Sequence, residues 1–299
     1  MSAVLGLGTY RVRAVGDMAR TALAAGASWT DTAPNYRAGE AHSLLASVLL
    51  QHPQAKVSTK TGFFAREEAE AAVSAGILTR EQAEAGHSLT ADFLRWQTSR
   101  SLGVLGRADV VFVHNPECAH LDREELHDRL RDAFAVLEEY ADTGRIGGYG
   151  VATWSSFDSG AFTVPELLTL AQEAAGSGEH HLCAVQLPVS LVMARPISLA
   201  LDGRGPLVHA RMAGLTTFGS SPLHGGELPH LVTPELAEFI RPGATPAAAS
   251  LLAAVSCPSL DVVLLSASTP EHWNAALKAT AAQLAPDQLR KVTDVLAQG

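Results

Sequence analysis

The sequence has 299 residues, of which 47% are hydrophobic and 18% charged, so it can form a large buried core in one or two globular domains. Its formal net charge is −9 and it contains no block of basic residues, which argues against nucleic acid or an anionic membrane surface as a partner. No apolar run reaches the roughly 18 residues that span a bilayer, and no signal-peptide pattern follows Met1, so we expect a cytoplasmic protein.

Eight short apolar stretches have the length and composition of β-strands. They cover residues 4–8, 28–31, 56–60, 109–114, 149–153, 182–187, 215–220 and 262–265. Helical patterns lie between them, several with a glycine after the last turn or a Thr-Pro pair at the first. These helices are predicted over residues 17–25, 39–51, from Thr90, 123–142, 164–175, 206–213, 246–255, from Pro270 and over 286–297.

Eight strands that alternate with helices over about 250 residues or more predict a (β/α)₈ TIM barrel. A doubly wound open sheet shares this alternation. Two observations favour the barrel: no Gly-x-Gly-x-x-Gly motif follows the first strand, and suspect polar residues end three successive strands, where barrel active sites are assembled. We therefore predict a single-domain barrel over residues 1–299.

An acidic, alanine-rich insertion over residues 62–87 interrupts the alternation after the third strand. We expect one or two short helices there, lying over the mouth of the barrel. A long insertion of this kind is usually functional, although a solvated decoration would have the same composition.

Four ionisable residues fall where apolar strands stop: Asp31 and Tyr36 after the second strand, Lys60 at the end of the third and His114 at the end of the fourth. A phenol titrates at about pH 10, so it is a poor proton donor at neutral pH unless a cation stabilises its phenolate. Lys60 can supply that cation, with Asp31 as its counter-charge, because an unpaired buried ammonium is costly. His114 can donate a hydrogen bond to a carbonyl oxygen or carry a second proton. The set predicts a site that protonates a carbonyl oxygen.

Each of the four also has an ordinary explanation when taken alone. Asp31 precedes Thr-Ala-Pro and fits a turn, and Tyr36 fits an amphipathic residue at a rim. Lys60 alone would be a surface lysine, and His114 before Asn-Pro would merely end a strand. Their joint occurrence at successive strand ends favours the functional interpretation.

Three segments around these residues resemble the signature segments of the aldo/keto reductase superfamily: Asp-Thr-Ala-Pro-Asn-Tyr over 31–36, Ser-Thr-Lys over 58–60 and Val-His-Asn-Pro over 113–116. The similarity extends from Leu5 to the helix after Pro270. It implies a (β/α)₈ barrel that reduces aldehydes and ketones with a nicotinamide cofactor bound without a Rossmann fold. NADP(H) is the cofactor that the resemblance favours, NAD(H) is the alternative, and no metal is implied.

The resemblance also implies a role for each residue of the tetrad. Tyr36 is the general acid, Lys60 lowers its pKa, Asp31 holds Lys60, and His114 orients the carbonyl. The residues that match cofactor-binding positions are Thr153 and Gln186 for the nicotinamide, Ser221 and Leu223 for the pyrophosphate, and Ser266, Ser268 and His272 for the adenosine end.

Several cofactor positions depart from the family pattern, among them Ala152, which removes one hydroxyl beside the nicotinamide, and Ala275-Ala276, which occupy the place of a Glu-Asn pair. Ser220 stands where many members stack an aromatic ring on the nicotinamide, and Ser266 and His272 replace a lysine and an arginine that hold the 2′-phosphate of NADPH. Each lost charge-assisted hydrogen bond costs about 1.5–3 kcal/mol, which weakens NADPH binding or moves the preference to NADH.

Three functions fit the sequence, and a nicotinamide-dependent carbonyl reductase is favoured. An intact tetrad beside an altered cofactor loop also suits a non-redox dehydratase, isomerase or cyclase. A binding or regulatory subunit is the third, and the costly Lys-Asp pair argues against it. The expected partner is a small-molecule carbonyl compound, and the expected state is a monomer or small homo-oligomer. Phe63, Phe64 and Trp154 are candidate pocket residues, with core packing as the alternative.

The three cysteines predict neither a disulfide framework nor a zinc site. Cys118, Cys183 and Cys257 are far apart, odd in number and without Cys-x-x-Cys spacing. Low lysine and high alanine content is typical of a GC-rich bacterial source.

Overall fold

The computed structural model describes residues 3–176 and 179–297. Its parallel strands are β1 Val4–Gly8, β2 Trp29–Asp31, β3 Lys56–Thr61, β4 Val110–His114, β5 Tyr149–Ala152, β6 Leu182–Pro188, β7 Thr216–Ser220 and β8 Val262–Leu265. Each strand pairs with the next in sequence, and β8 pairs with β1. The sheet therefore closes on itself, which confirms the predicted (β/α)₈ barrel and excludes the open doubly wound sheet.

Helices follow the strands, as the alternation predicted. They are α1 Val15–Ala24, α2 Ala41–Gln51, α3 Arg66–Ser74, α4 Arg80–Glu84, α5 Ala91–Leu105, α6 Arg123–Asp142, α7 Ser156–Ser159, α8 Val164–Ala175, α9 Arg195–Leu201, α10 Pro206–Met212, α11 Leu228–Leu231, α12 Pro234–Ile240, α13 Pro246–Val255, α14 Pro270–Ala279 and α15 Pro286–Leu296. Short 3₁₀ turns cover Tyr36–Gly39, Pro116–Ala119 and His224–Gly226. Within the described residues, no helix combines the length and apolar character that a bilayer crossing requires.

Capping residues explain where the predicted helices begin. Thr163 accepts a hydrogen bond from the Glu166 amide, while the Glu166 carboxylate accepts one from the Thr163 amide at 2.8 Å, which forms a complete capping box on α8. Thr245 and Thr269 cap α13 and α14 with their hydroxyls alone, which accept from the amides of Ala248 and His272.

Four short helices were not predicted from the sequence. They are α7, α9, α11 and α12, which have 4, 7, 4 and 7 residues. The last three carry proline in their first turn, and so few residues give little periodic apolar face for a pattern to detect. The strand predicted to end at Thr153 also ends one residue earlier, at Ala152.

Aromatic rings fill the barrel interior and give the site its floor. The Phe218 ring packs edge-on against Trp29 at 4.9 Å and against Phe112 at 5.5 Å between centroids. Gly150 makes room for this layer, because a Cβ there would lie 2.3 Å from the Ala184 carbonyl oxygen and 2.8 Å from the Phe112 ring. A second apolar layer joins the outer face of the sheet to the helices.

The insertion after β3 forms two short helices, α3 and α4, as predicted. One buried side chain, Gln97 of α5, ties its start to the barrel. The Gln97 amide oxygen accepts from the Thr61 hydroxyl at 2.9 Å and from the Gly62 amide at 2.8 Å. Its amide nitrogen donates to the Phe63 carbonyl at 2.8 Å and to the Glu68 carboxylate at 2.9 Å. The chain therefore leaves the third strand along a fixed path.

Candidate active site

A cavity of about 500 Å³ opens at the carboxyl ends of the barrel strands. Three of the four predicted catalytic residues line it, namely Asp31, Tyr36 and His114. Lys60 lies behind them and is 2% exposed. The strand ends therefore bring the four residues to one place, as their positions in the sequence predicted.

Lys60 and Asp31 form a buried ion pair between neighbouring strands. Asp31 is opposite Ser58 in the β2–β3 register, so Lys60, two residues further, points to the same face. Lys60 Nζ lies 2.5 Å from Asp31 Oδ2 and donates to the Thr32 carbonyl at 3.0 Å. The side chains are 1% and 5% exposed. Burial lowers the pKa of Lys60, but Asp31 and Tyr36 raise that pKa more, so the ammonium stays charged.

The second oxygen of Asp31 is also held. It accepts from the Ser58 hydroxyl at 2.8 Å and from the Gln186 amide at 3.3 Å. Partners on both oxygens fix the direction of this buried carboxylate. Ser58 was part of a signature segment, but its contact with Asp31 was not predicted.

Tyr36 lies over the ammonium of Lys60. Lys60 Nζ is 4.9 Å from the centroid of the Tyr36 ring, and the Tyr10 ring packs against the same ring in a tilted pair at 5.2 Å between centroids. Arg37 and Ala38 directly after it have φ of 51° and 52°, so a left-handed turn fixes where the phenol points. Burial raises the pKa of Tyr36 more than Lys60 lowers it, so the phenol is protonated at neutral pH.

His114 offers a neutral imidazole to the same cavity. Its Nδ1 is buried and has no hydrogen-bond partner among the described residues, which leaves Nε2 as the ring nitrogen open to the cavity. Burial and the charge on Lys60 lower the pKa of His114 well below its usual value. The tautomer with hydrogen on Nε2 avoids a buried, unpaired donor at Nδ1. His114 can therefore donate to an oxygen placed near Tyr36.

Most residues predicted to bind a cofactor line the cavity. They are Thr153, Gln186, Ser221, Leu223, Ser266 and Ser268. His272 is not among the lining residues: it is exposed on the first turn of α14, where its amide donates to the Thr269 hydroxyl at 3.2 Å. Its imidazole therefore does not replace the missing arginine inside this cavity.

The Thr153 hydroxyl makes hydrogen bonds within the protein. It donates to the Glu117 carboxylate at 2.9 Å and accepts from the Ser156 amide at 2.9 Å. Glu117 also accepts from the backbone amides of Trp154 at 2.6 Å and Ser155 at 2.9 Å. One carboxylate thus fastens the loop after β5, and no sequence pattern pointed to it.

The three aromatic candidates separate into two groups. Phe63 and Trp154 line the cavity. Phe64 is 8% exposed and packs against Phe93 at 4.9 Å between ring centroids, so it belongs to the core. Successive residues of an extended chain point in opposite directions, which explains why only one of the two phenylalanines faces the cavity.

Arg11 is a lining residue that the sequence analysis missed. It follows β1, has φ of 59°, and stacks on Tyr10 with its guanidinium carbon 5.3 Å from the ring centroid. Its Nη1 would lie 3.1 Å from a Cβ placed on Gly225, so the side chain reaches the turn over His224–Gly226 on the other wall. Glu227 and Arg11 both line the cavity. A single loop arginine gives no pattern, so only the fold shows that it faces the site.

One group of described residues has ligand atoms close enough together for a metal ion: Glu138, Asp142 and His181. It lies at the amino-terminal ends of β5 and β6, away from the cavity. Glu138 already accepts from the Tyr149 hydroxyl at 2.6 Å and lies 2.6 Å from His181 Nδ1. These contacts satisfy the buried carboxylate, and we assign no metal to the group.

A buried histidine beneath the site gives a prediction for the pH dependence of stability. His42 of α2 lies 2.9 Å from the Thr59 hydroxyl, and burial together with Lys60 lowers its pKa to about 4. In the unfolded chain His42 takes up a proton near pH 6.5, whereas in the folded chain it stays neutral down to about pH 4. The contribution of His42 to the free energy of unfolding is therefore complete above pH 6.5. It should fall by up to about 3 kcal/mol as the pH drops to 4.

Urea denaturation at pH 8, 6, 5 and 4 measures this loss. The variant His42→Gln keeps a hydrogen-bonding side chain for Thr59 and has no titrating ring, so its stability should fall less steeply over the same range. Equal slopes for wild type and variant would contradict the assignment.

Comparisons with known proteins agree with this geometry. The family model described as Aldo/keto reductase family matches residues 5–297. Among solved structures, a crystal structure of a thermostable aldo-keto reductase, Tm1743, in complex with the inhibitor epalrestat is similar, with a TM-score of 0.67. Its sequence is 18% identical, and the match covers 97% of this chain and 94% of that one, so this likeness shows the fold alone. The search of curated proteins gives no match.

Proposed function

The chain belongs to the aldo/keto reductase family, and we propose that it reduces an aldehyde or ketone to an alcohol with a nicotinamide dinucleotide as the hydride source. The observation that carries this proposal is the buried Lys60–Asp31 pair beneath Tyr36, with His114 open to the same cavity. Burying an ion pair is costly. Beneath the Tyr36 phenol, the Lys60–Asp31 pair can stabilise the phenolate that forms on proton transfer.

Side chains of the protein position the substrate oxygen and supply its proton. His114 Nε2 and the Tyr36 hydroxyl both donate toward a substrate oxygen, which polarises the carbonyl and positions it. Tyr36 then transfers its proton to that oxygen. The phenolate left behind lies beside the Lys60 ammonium, and Asp31 keeps this ammonium charged and in place. The neutral state of His114 suits a donor that does not itself lose a proton.

The lining residues fit a dinucleotide. Three groups that line the cavity can bind parts of the dinucleotide: the side-chain amide of Gln186, the hydroxyl of Ser221 and the guanidinium of Arg11. None of the ion pairs formed by the described residues involves Arg11, so its charge is available for a phosphate. When bound, the nicotinamide supplies the hydride that the four ionisable side chains lack.

The adenosine end of the cavity favours NADH over NADPH. Ser266 and Ser268 bring hydroxyls there, whereas Glu271 and His272 of the first turn of α14 do not line the cavity. Neither serine brings a positive charge to a 2′-phosphate. The resemblance alone favoured NADP(H) as the cofactor. The absence of a positive charge on Ser266 and Ser268 is the reason to propose NAD(H) instead.

A titration of the purified protein tests the proposal directly. Reduced-nicotinamide fluorescence is followed on adding protein to NADH and to NADPH, and absorbance at the reduced-nicotinamide band is followed on adding a panel of carbonyl compounds. We expect binding of both, tighter for NADH, and oxidation of the cofactor by at least one carbonyl. Failure of both dinucleotides to bind would refute the proposal.

Arg11→Ala should weaken dinucleotide binding about tenfold, because an exposed charge-assisted contact to a phosphate is lost. The loss should shrink at high salt, since screening weakens the contact in the wild type. The fluorescence titration measures it at two salt concentrations. Arg13→Ala removes a nearby exposed arginine that does not line the cavity, and it is the matched control. Equal affinities for wild type and Arg11→Ala would remove Arg11 from the cofactor site.

The substrate is proposed to be a small carbonyl compound with an apolar part. Tyr10, Phe63 and Trp154 present ring surface to the cavity, and Tyr10 and Trp154 are 47% and 41% exposed. Cytoplasmic location and a monomeric or small homo-oligomeric state stay predictions of the sequence.

A further inference from the structure

The insertion after β3 reaches the end of β4 through one histidine. His87 is 7% exposed, and its Nε2 lies 2.9 Å from the carbonyl oxygen of His114. A carbonyl only accepts, so Nε2 carries the hydrogen. Nδ1 of His87 is then the bare nitrogen, and it is buried without a partner among the described residues. Burial lowers the pKa of His87, which keeps this neutral tautomer.

His114 receives this donor where the strand ladder has ended. The last pair between β3 and β4 is Thr61 with Val113, one residue before His114. The next amide along β3, that of Gly62, donates to the Gln97 side chain instead. The β3 side of His114 is therefore held by a side chain of the insertion and not by the neighbouring strand.

A second contact between His87 and His114 runs through Phe63. The Phe63 ring lies between the two imidazoles, with centroids 4.6 Å from His87 and 4.9 Å from His114, both edge-on. The insertion closes on itself here, since Phe63 pairs with His87 in an antiparallel bridge. Phe63 lines the cavity and His87 does not. His87 thus contacts the main chain of His114 directly and its ring through Phe63, out of reach of a substrate.

We propose that His87 is a positioning residue for His114, which sets the direction of the His114 imidazole through the hydrogen bond that it donates to the His114 carbonyl group. The kinetic part of this inference rests on the proposed carbonyl reduction. Misplacing a reacting group by about 1 Å costs about 100-fold in rate. Loss of the His87 donor should therefore lower kcat about tenfold to 100-fold, while dinucleotide affinity stays within about twofold because His87 is not a lining residue.

Two variants separate the hydrogen bond from the ring packing. His87→Phe keeps a ring against Phe63 and removes the donor. His87→Gln removes the ring and keeps an N–H group on a side chain of similar reach. We expect His87→Phe to show the loss in kcat and His87→Gln to retain turnover within about threefold of wild type.

Thr79→Ala is the matched control within the same insertion. It removes the capping hydroxyl of α4, which accepts from the Gln82 amide at 3.1 Å, and touches neither Phe63 nor His87. A general loosening of the insertion would lower activity in this variant as well. We expect its kcat to stay at the wild-type value, with a small loss in thermal stability.

A spectroscopic readout tests positioning without turnover. In protein carrying ¹³C-labelled histidine, the Cε1–H resonance of His114 is assigned by its loss in His114→Asn. This resonance should shift in His87→Phe, and it should keep its wild-type position in His87→Gln and Thr79→Ala. If wild type shows no turnover with any carbonyl, the proposed function fails and this resonance still decides the role of His87.

Three outcomes would overturn the inference. They are an unshifted His114 resonance in His87→Phe, wild-type kcat in that variant, and equal losses in His87→Phe, His87→Gln and Thr79→Ala. If His87→Phe does not fold, His87→Asn takes its place, because its shorter amide withdraws the donor from the carbonyl, and it is compared with His87→Gln by the same two measurements.

Discussion

Tyr36→Phe is expected to lower kcat for carbonyl reduction by about 10²–10⁴-fold, because a positioned general acid contributes a factor of this size. The ring and its packing on Tyr10 remain, so the fold and the dinucleotide affinity should change little. Steady-state assays at saturating carbonyl compound and cofactor measure kcat, and the fluorescence titration measures dinucleotide affinity. The expected pattern is a large loss in rate with a dissociation constant within about twofold of wild type.

Tyr140→Phe is the control for this prediction. It makes the same substitution on α6, where the Tyr140 hydroxyl donates to the Arg95 carbonyl at 2.8 Å and lies outside the cavity. Its turnover should equal that of wild type. Retention of more than half of the activity in Tyr36→Phe would show that another group supplies the proton.

Lys60→Met should be the most destabilising substitution at the site. It leaves the Asp31 carboxylate buried with its main counter-charge removed, and breaking one side of a buried pair costs about 3–5 kcal/mol. The double variant Asp31→Asn/Lys60→Met removes both charges and should recover part of this loss. Urea denaturation of the two proteins gives the comparison. Lys56→Met, at the exposed start of the same strand, should stay close to wild type.

The same variant makes a prediction about pH. Lys60 lowers the pKa of Tyr36, so its removal raises that pKa further above the ordinary value. Alcohol oxidation needs the phenolate as a base, and the remaining activity of Lys60→Met in this direction should therefore appear at higher pH than in wild type. An unchanged pH profile would show that the ammonium does not act on the phenol.

The sequence sufficed for the barrel because each strand is short, apolar and closed by a helix with a recognisable start or stop. The tetrad was predictable for a similar reason: lysine is rare in this chain, and its place at the end of a buried strand beside Asp31 needs an explanation. Side-chain contacts between loops left no such pattern. The neighbours of three such residues, Glu117, Arg11 and His87, are far away in sequence, and only the closed sheet brings them together.

Local ambiguity accounts for the remaining differences. Phe63 and Phe64 are adjacent, chemically identical and equally good candidates until the direction of the chain after β3 is known. Thr153 was a candidate by position, and its hydrogen bond to a carboxylate of the preceding loop left no sign in the sequence. The missed helices α7, α9, α11 and α12 have four to seven residues, which leaves little periodicity for a pattern to detect.

The tetrad comes from β2, the turn after it, β3 and β4, whereas Gln186, Ser221 and Ser266 come from the second half of the barrel. Under the proposed function, the proton-transfer residues and most of the proposed coenzyme contacts, Arg11 excepted, are thus encoded in separate halves of the gene. A recombination library that exchanges the stretch after residue 180 with that of a relative should change coenzyme preference while the protonation machinery is inherited intact.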